Sequence, residues 1–220
     1  MLRIETPWIG RREALVGLTS TVASLLVPSG LAVAQSDRVA TPRQTEGPFY
    51  PVDWGGDIDN DLVRVRGEAT TAMGQVLHVQ GHVFDLRGQP VPDATVEIWQ
   101  CDARGIYRHP RDAMGSRRLD AGFQGRGRSL TDASGRYAFR TIKPVAYTGR
   151  TPHIHFSVAR KNGAALVTQM YVQGESLNER DGVLSRIRDV RQRDSVIVKL
   201  EAAAQIEQGA LVGNFDIWLA

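Results

Sequence analysis

The segment RTPHIHFSV (residues 150–158) places two histidines two positions apart in a run that is typical of a β-strand. Side chains alternate between the two faces of a strand, so His153 and His155 point to the same side with neighbouring Cβ atoms. Two imidazoles held in this way can bind one metal ion. An isolated His-x-His pair more often lies on the solvent-facing side of an edge strand. His78 and His82 illustrate that alternative in the run VLHVQGHVF.

Two tyrosines favour the metal interpretation. Tyr147 lies six residues before His153, and Tyr107 lies in the polar segment ARGIYRHPRD, which has no aliphatic periodicity. A free phenol has a pKa of about 10, so it binds only a strongly Lewis-acidic metal. The bound tyrosinate is a hard anionic oxygen donor, and two of them favour Fe(III) over Zn(II), Mg(II) or Fe(II). If the two tyrosines and the two histidines meet, the sequence predicts a ferric, non-haem centre.

Other residues near these four leave alternatives open. His109 follows Tyr107 by two positions and could rival a ligand or hydrogen-bond to one. Phe49 and Tyr50 could line a pocket or serve ordinary packing. Cys101 is the only cysteine, so no internal disulfide can form, and a small buried side chain is its simplest interpretation.

The elements that must hold these residues are short and β-like. From Gln75 onward, short runs typical of strands are separated by turn residues. These runs are VLHVQGHVF, ATVEIWQ, GRYAFRTI, HIHFSVA, ALVTQMYV, DSVIVKLE and NFDIWLA. They predict an all-β fold, an antiparallel β-sandwich over residues 75–220. Residues 35–74, rich in Pro, Gly, Asp and Thr, are predicted to form an extended N-terminal arm, and helix is expected only over GVLSRIRDV and residues 202–208.

Length and charge exclude some classes of protein. A chain of 220 residues suits one domain with a substantial core, and its net charge is only +3. The one dense basic stretch, RIRDVRQR, is interrupted by Asp189 and is typical of a solvated face rather than a nucleic-acid interface. No nucleic-acid partner is therefore expected. The oligomeric state is left open, with a homo-oligomer as one alternative.

Residues 1–34 form a predicted export signal of the twin-arginine type. Arg11 and Arg12 precede an uncharged stretch that begins at Ala14 and ends in an Ala-x-Ala cleavage pattern at residues 32–34. A membrane anchor is the alternative, but Thr, Ser, Pro and Gly make this stretch only moderately apolar. The sequence therefore predicts a periplasmic or secreted protein without stable membrane insertion after removal of the signal.

Six motifs together resemble the intradiol ring-cleavage dioxygenases, most closely the catalytic chain of protocatechuate 3,4-dioxygenases. They are TPRQTEGPFYP, GQPVPDATVEIWQCDARGIYRHPRD, GRGRSLTDASGRYAFRTIKP, RTPHIHF, VTQMY and NFDIWL. The resemblance extends from about Thr41 to the C-terminus, with the motifs in the family's order.

The resemblance implies a site and a reaction. It implies a non-haem Fe(III) cofactor whose ligands fall on Tyr107, Tyr147, His153 and His155. It places the catalytic residues beside the ligands at Arg150 and Gln169. Tyr147 would be the ligand that the substrate displaces, and it would accept a substrate proton. The implied substrates are O2 and a catechol-type compound, whose ring is opened between the two hydroxylated carbons to give a cis,cis-muconate-type diacid.

Departures from the family pattern concern the pocket. The loop from Tyr147 to His153 is shorter than in the protocatechuate enzymes, and Gly149 replaces an aromatic residue. A more open pocket is expected, and the particular catechol is left open.

Two other classes of function fit parts of the pattern. A secreted β-sandwich binding module without catalytic iron would carry the tyrosines and histidines on its rim. A cupin-type metalloenzyme with Fe(II) or Zn(II) would need further Glu and His ligands in the β core, which the sequence does not offer.

The twin-arginine interpretation predicts the fate of one double variant. Replacing Arg11 and Arg12 with lysine should cause the protein to be retained in the cytoplasm, because the arginine pair is what the twin-arginine receptor recognises. Immunoblots of cytoplasmic and periplasmic fractions measure the distribution. Normal periplasmic levels of the double variant would instead favour export by the general secretory route.

Overall fold

The computed structural model describes residues 38–112 and 118–220. The predicted export signal at residues 1–34 lies outside these ranges. Within them, no helix is long and apolar enough to cross a membrane.

The regular secondary structure of the described chain is almost wholly strand. In chain order they are β1 (Val76–Asp85), β2 (Thr95–Trp99), β3 (Arg126–Leu130), β4 (Arg136–Ile142), β5 (His153–Ala159), β6 (Leu166–Val172), β7 (Ile197–Val198), β8 (Leu200–Ala202), β9 (Leu211–Asn214) and β10 (Ile217–Leu219). Helical segments in the described residues are two 3-10 turns, Ser176–Arg180 and Leu184–Arg186, and one short helix, α1 (Val190–Ser195). The predicted all-β fold with little helix is confirmed.

The strands form two five-stranded sheets. In the first, β4 pairs with one edge of β1, while β9 and β10 pair with successive parts of its other edge, and β8 pairs with β9. The second sheet has the order β3-β2-β5-β6-β7. The pairings of β1 with β9, β1 with β10 and β6 with β7 are parallel, and the other pairings are antiparallel. The sheets are therefore mixed, whereas the sequence predicted only antiparallel pairing.

The hydrophobic core joins residues of both sheets. Strand β1 alternates as predicted, with Leu77, Val79 and Val83 buried and His78, Gln80 and His82 only partly buried. The ring of Phe156 on β5 lies 6.1 Å from that of Tyr137 on β4 and 5.1 Å from that of Phe215, measured between centroids. Such aromatic contacts across the sandwich bury large apolar areas.

Strand β5 is buried on both faces. Ile154, Phe156 and Val158 belong to the core cluster. His153 and His155 point the opposite way, yet only 1% and 2% of their surfaces are exposed. A strand with one face turned from the core can be buried on both faces only if another segment covers the second face.

That cover includes the start of the irregular segment that precedes β1. Residues 38–74 contain turns but no strand or helix. The backbone N–H of Gln44 donates to the carbonyl of Val167 on β6 at 2.8 Å, which attaches the segment to the second sheet. Farther on, Leu62 and Val63 enter the core. This irregular segment, called the arm below, is therefore part of the packed structure.

The strand expected over residues 194–201 is present, as β7 and β8. The sequence misassigned the helices in this region, which were expected over residues 182–190 and 202–208. The structure instead starts α1 at Val190, where the Asp189 side chain accepts a hydrogen bond from Gln192 N at 3.0 Å. This Asp-x-x-Gln arrangement is an N-terminal cap that the periodicity did not reveal. Residues 204–209, between β8 and β9, form turns rather than helix.

Strands β3 and β9 were also absent from the predicted runs. The sequence of β3, RGRSL, has no apolar alternation, and it becomes a strand because it pairs with β2. The pairing of β9 with β1 is parallel and brings together segments that are far apart in sequence. Such long-range pairing leaves little local signal.

Candidate metal centre

Strand register places the two histidines in the middle of a polar row. On the face of the second sheet turned from the core, His155 lies between Trp99 of β2 and Gln169 of β6, and His153 lies opposite Tyr171. The alternation of β5 and β6 produces this row directly, because positions two apart share a face. The alternation of β5 and β6 could therefore have indicated both Gln169 and Tyr171, whereas Gln169 was named only from the family resemblance and Tyr171 was not named.

The two imidazoles meet through their Nε2 atoms, which lie 3.1 Å apart. The Nδ1 atom of His153 lies 2.6 Å from the carbonyl oxygen of Thr151. A carbonyl oxygen only accepts, so Nδ1 carries the proton, and in the neutral ring the Nε2 lone pair is free. The ring of His155 stacks on the indole of Trp99, with centroids 4.8 Å apart and planes at 11°.

Burial keeps both imidazoles neutral. It lowers the pKa of His153 to about 4, assisted by the positive charge of Arg150. It also holds the pKa of His155 well below its ordinary value, with smaller effects from His153 and Arg150. Two neutral imidazoles are the form in which histidine binds a metal.

The rings of Tyr107 and Tyr147 complete a closed set with the two histidines. Ring centroids are 5.4 Å apart for the two tyrosines, 5.5 Å for Tyr147 and His153, 4.8 Å for the histidine pair and 6.1 Å for Tyr107 and His155. The structure thus brings together all four side chains that the sequence proposed as ligands. They come from the loop after β2, the loop after β4 and strand β5.

The two tyrosines differ in their surroundings. Tyr107 is 2% exposed, and its hydroxyl is buried without a hydrogen-bond partner. Burial raises its pKa well above the ordinary value. Tyr147 is only partly buried. Burial raises its pKa as well, but the nearby guanidinium of Arg150 opposes that rise.

This donor set can hold a hard metal ion. No group of three His, Cys, Asp or Glu side chains suitable for a metal occurs in residues 38–112 and 118–220. A metal at this site would therefore be bound by the two imidazoles together with phenol oxygens. The buried, unpartnered hydroxyl of Tyr107 supports this, because buried polar atoms normally have a partner. Two phenolates and two neutral imidazoles match the preferences of Fe(III).

A guanidinium and an amide lie beside the four rings. Arg150 donates from Nη2 to Gln169 Oε1 at 2.6 Å and from Nε to Asp181 Oδ2 at 2.8 Å. The Tyr171 hydroxyl donates to the same Gln169 oxygen at 3.0 Å, and Gln169 Nε2 donates to the carbonyl of Thr45 at 2.9 Å. Both ends of the Gln169 amide are therefore engaged by the protein.

The arm closes the site from outside. The Gln44 side chain accepts from Gln169 N and donates to the Tyr171 hydroxyl, both at 2.8 Å. Gly47 has φ +76°, and a Cβ built there would lie 3.4 Å from His155 Cε1. Both the backbone conformation and the close approach favour glycine at this position. Sequence reasoning did not identify Gln44 or Gly47, because neither has a local signal of contact with β5 and β6.

Phe49 and Tyr50 contact the site from the same segment. The ring of Phe49 stacks on Tyr107 at 4.7 Å and meets Tyr147 edge-on at 6.3 Å. Tyr50 packs edge-on against Trp99 at 5.0 Å. The two rings thus pack around the site, Phe49 directly on the tyrosine pair.

His109 and Cys101 lie beside the site, and Cys101 packs in one buried cluster with Trp99 and Tyr107. The His109 ring meets Phe49 at 5.8 Å, and its Nδ1 accepts from Arg111 N at 3.1 Å. That bond leaves Nδ1 unavailable to a metal. Cys101 is buried, and burial raises the pKa of its thiol to about 12, so it remains protonated.

A cavity of about 140 Å³ lies against the exposed side of the site. Tyr147 and Arg150 line it together with the 3-10 turn that follows β6. Gly149 also lines it, and a Cβ built at Gly149 would contact nothing within 4 Å. The absence of a side chain at Gly149 leaves this space open, and a pocket more open than in the protocatechuate enzymes stays a prediction.

The fold and this site define a class of enzyme. A family model described as a dioxygenase matches residues 45–220. This range contains both sheets, the two tyrosines and the two histidines. The protein is therefore a dioxygenase by family.

Individual relatives narrow the class. The protocatechuate 3,4-dioxygenase beta chain of Burkholderia cepacia is 37% identical over 185 residues, covering 80% of this chain and 78% of that one. Hydroxyquinol 1,2-dioxygenase of Corynebacterium glutamicum is 33% identical over 182 residues, covering 72% and 53%, so the chain spans about half of that relative. The dioxygenase domain of a carbohydrate-binding fusion protein from Streptomyces sp. SirexAA-E superposes with a TM-score of 0.62 at 29% identity, covering 82% and 98%. The chain belongs to the intradiol ring-cleavage dioxygenases, as its motifs indicated.

The contacts of Gln44 predict that the arm stabilises the site. Replacing Gln44 with alanine should lower the free energy of unfolding by about 1–3 kcal/mol, because the Gln169 N–H loses its partner inside the protein. Urea denaturation measures the difference. Gln75→Ala is the matched control, since Gln75 is exposed and its side chain donates a hydrogen bond only to a backbone carbonyl, that of Gly209. Equal, small losses in both variants would contradict a structural role for the arm.

Proposed function

We propose that the protein is an exported, non-haem Fe(III) dioxygenase. It opens the ring of a catechol-type compound with O2 between the two hydroxylated carbons and produces a cis,cis-muconate-type diacid. The observation that carries this proposal is the closed set of four rings, in which the buried Tyr107 hydroxyl makes no hydrogen bond of good geometry and has the Tyr147 hydroxyl close enough to affect its pKa. Membership of the intradiol family supports the reaction class.

The charge of the donor set supports a ferric ion. Tyr107, Tyr147, His153 and His155 would hold it, and two tyrosinates with one hydroxide would cancel its three positive charges. A neutral centre is less costly to bury than a charged one. The raised pKa of the tyrosines means that only a strongly Lewis-acidic ion could take their protons at neutral pH. When bound, the iron supplies Lewis acidity that withdraws electron density from the aromatic substrate.

Tyr147 is the residue placed to move a proton. It lines the cavity, whereas Tyr107 is enclosed by Phe49 and the sheet. A catechol entering from the cavity would meet Tyr147 first, and with iron bound the phenolate oxygen of Tyr147 would accept a hydroxyl proton from it as general base. Tyr107 remains in place through the reaction.

Arg150 is placed to stabilise charge. It lines the same cavity, and its guanidinium is close enough to Tyr147 to affect the pKa of that phenol. A fixed positive charge beside the bound ring stabilises negative charge as it develops there. Gln169 holds the guanidinium through the 2.6 Å bond to Nη2. The amide thus contributes by fixing the direction of the arginine.

The proposed substrate class and the proposed export are supported by different parts of the chain. The relatives are named for protocatechuate, hydroxyquinol and catechol, all aromatic rings with adjacent hydroxyl groups. The open space at Gly149 accommodates a substituted ring of this type. The twin arginines at residues 11 and 12 support export, since that route carries proteins that fold around a cofactor before they leave the cytoplasm.

The proposed function predicts a coloured, iron-dependent enzyme. The mature chain, expressed with ample iron, should bind one ferric ion and be burgundy-red from tyrosinate-to-iron charge transfer. It should consume O2 with catechol, protocatechuate or hydroxyquinol. Metal analysis, visible spectra and oxygen uptake check the three points. A colourless protein with zinc, or with less than about a tenth of an iron per chain, would favour a binding module or another metalloenzyme.

The roles of the two tyrosines predict different consequences of their removal. Tyr147→Phe should retain most of the iron but bind catechol more slowly, on the order of 10²-fold, because the proton acceptor is lost. Tyr107→Phe should change the visible band both at rest and in the substrate complex. Resonance Raman spectra of the catechol complex under nitrogen report the tyrosinate modes. These modes should survive in Tyr147→Phe and vanish in Tyr107→Phe, and equal loss in both would contradict the assignment.

A further inference from the structure

Asp181 is the most completely buried charged side chain beside the site. It lies between the two 3-10 turns that follow β6, and none of its side-chain surface is exposed. Oδ2 accepts from Arg150 Nε at 2.8 Å and from Thr151 N at 3.0 Å. Oδ1 accepts from the backbone N–H groups of Val183 and Leu184, each at 2.9 Å. Each oxygen thus accepts two hydrogen bonds, which fills the ordinary capacity of a carboxylate.

The first pair of contacts acts on the guanidinium. Arg150 is held at Nε by Asp181 and at Nη2 by Gln169, so two of its nitrogen atoms are fixed from different sides. Its backbone N–H also donates to Tyr147 O at 2.9 Å. A planar guanidinium fixed at two nitrogen atoms has its orientation determined. The Asp181 carboxylate is the only charged group in this arrangement that balances the arginine.

The second contact of Oδ2 acts on a histidine. Thr151 N donates to Asp181, and the carbonyl of the same residue accepts from His153 Nδ1 at 2.6 Å. The Thr151 hydroxyl is fixed separately by Asn178 Oδ1 at 2.7 Å. Anchoring this peptide segment therefore fixes the ring that carries one of the proposed ligand nitrogens.

We propose that Asp181 is a positioning residue that aligns the two functions of the site, charge stabilisation by Arg150 and metal binding by His153. Its carboxylate holds the guanidinium towards the cavity through Nε and sets the His153 ring through the Thr151 backbone. Asp181 directly follows the first 3-10 turn, which borders the cavity, and the backbone N–H groups of Val183 and Leu184 tie its carboxylate to the start of the second. The inference rests on the proposed function, since it assigns a partner to the arginine and a histidine of that site.

The test uses the iron-loaded mature chain and a substrate that the wild type cleaves. Asp181→Asn removes the negative charge. It also replaces one carboxylate oxygen by an NH2 group, which then faces N–H groups that can no longer donate to it. kcat should fall about 10–100-fold with KM changed less than about threefold, because the guanidinium loses its direction in the transition state. Iron affinity, measured by competition with nitrilotriacetate, should fall by about tenfold through the Thr151 branch.

A double-variant cycle separates positioning from general damage. Arg150→Gln removes the guanidinium, so adding Asp181→Asn should then change kcat by less than about threefold while iron affinity still falls. If the double variant instead lost kcat by the product of the two single-variant factors, Asp181 would not act through Arg150. That result would overturn the inference.

Asp85→Asn is the matched control outside the site. Asp85 is also buried and likewise binds an arginine and backbone N–H groups, here in the turn after β1. The Asp85→Asn variant should have a lower melting temperature than the wild type, with kcat and iron affinity within about twofold of the wild-type values. If Asp181→Asn likewise lowered only the melting temperature and left kcat and iron affinity unchanged, the inference would be overturned. The proposed function would still stand in that case, because it is tested by the activity of the wild type.

If Asp181→Asn does not fold, Asp181→Glu keeps the charge and moves the carboxylate by one methylene. A folded Asp181→Glu enzyme with reduced kcat and bound iron supports the inference, because the guanidinium is displaced. Wild-type kcat in that variant would overturn it. A wild-type chain that neither binds iron nor cleaves any of the three catechols would instead defeat the proposed function.

Discussion

His153 and His155 lie on the face of β5 that is turned from the core, and their burial there requires cover from other segments. The core face of the same strand carries Ile154 and Phe156, so the strand cannot shift by one residue without exchanging apolar and imidazole side chains. The register of β5 with β2 and β6 is thereby fixed. Trp99 and the polar side chains of β6 take their places around the histidines as a consequence.

The arm turns this sheet face into an enclosed site. A polar row on an outer sheet surface would normally be hydrated, and its histidines would titrate near their ordinary pKa. Gln44, Gly47 and Phe49 exclude water from the row and replace it with amide, backbone and aromatic contacts. The low pKa of both imidazoles follows from this cover. The arm thus both excludes water from the histidines and keeps their imidazoles in the neutral form that binds a metal.

Burial also creates the need for an internal charge balance. A guanidinium taken out of water is costly unless a carboxylate and further hydrogen bonds compensate it. Arg150 satisfies this requirement through Asp181 and Gln169, and Gln169 is in turn held by the arm. Burial would raise the pKa of Asp181, but hydrogen bonds from Arg150, Leu184 and Thr151 outweigh it and hold that pKa below its ordinary value. The polar residues beside the histidines therefore form one connected network, in which each member depends on its neighbours.

The sequence by itself determined the strand that carries the histidines, the all-β class and the four proposed ligands. Two-residue alternation is a local property, and the motifs around Tyr107 and Tyr147 are contiguous stretches of sequence. Only the tertiary structure decided that Asp181, Gln44 and Phe49 belong to the same site, because each reaches it from a distant loop or from the arm. It also decided the parallel pairings of β9 and β10 and the start of α1. Long-range pairing and the covering of a sheet face arise from packing between distant segments, which leaves no periodic signal in the sequence.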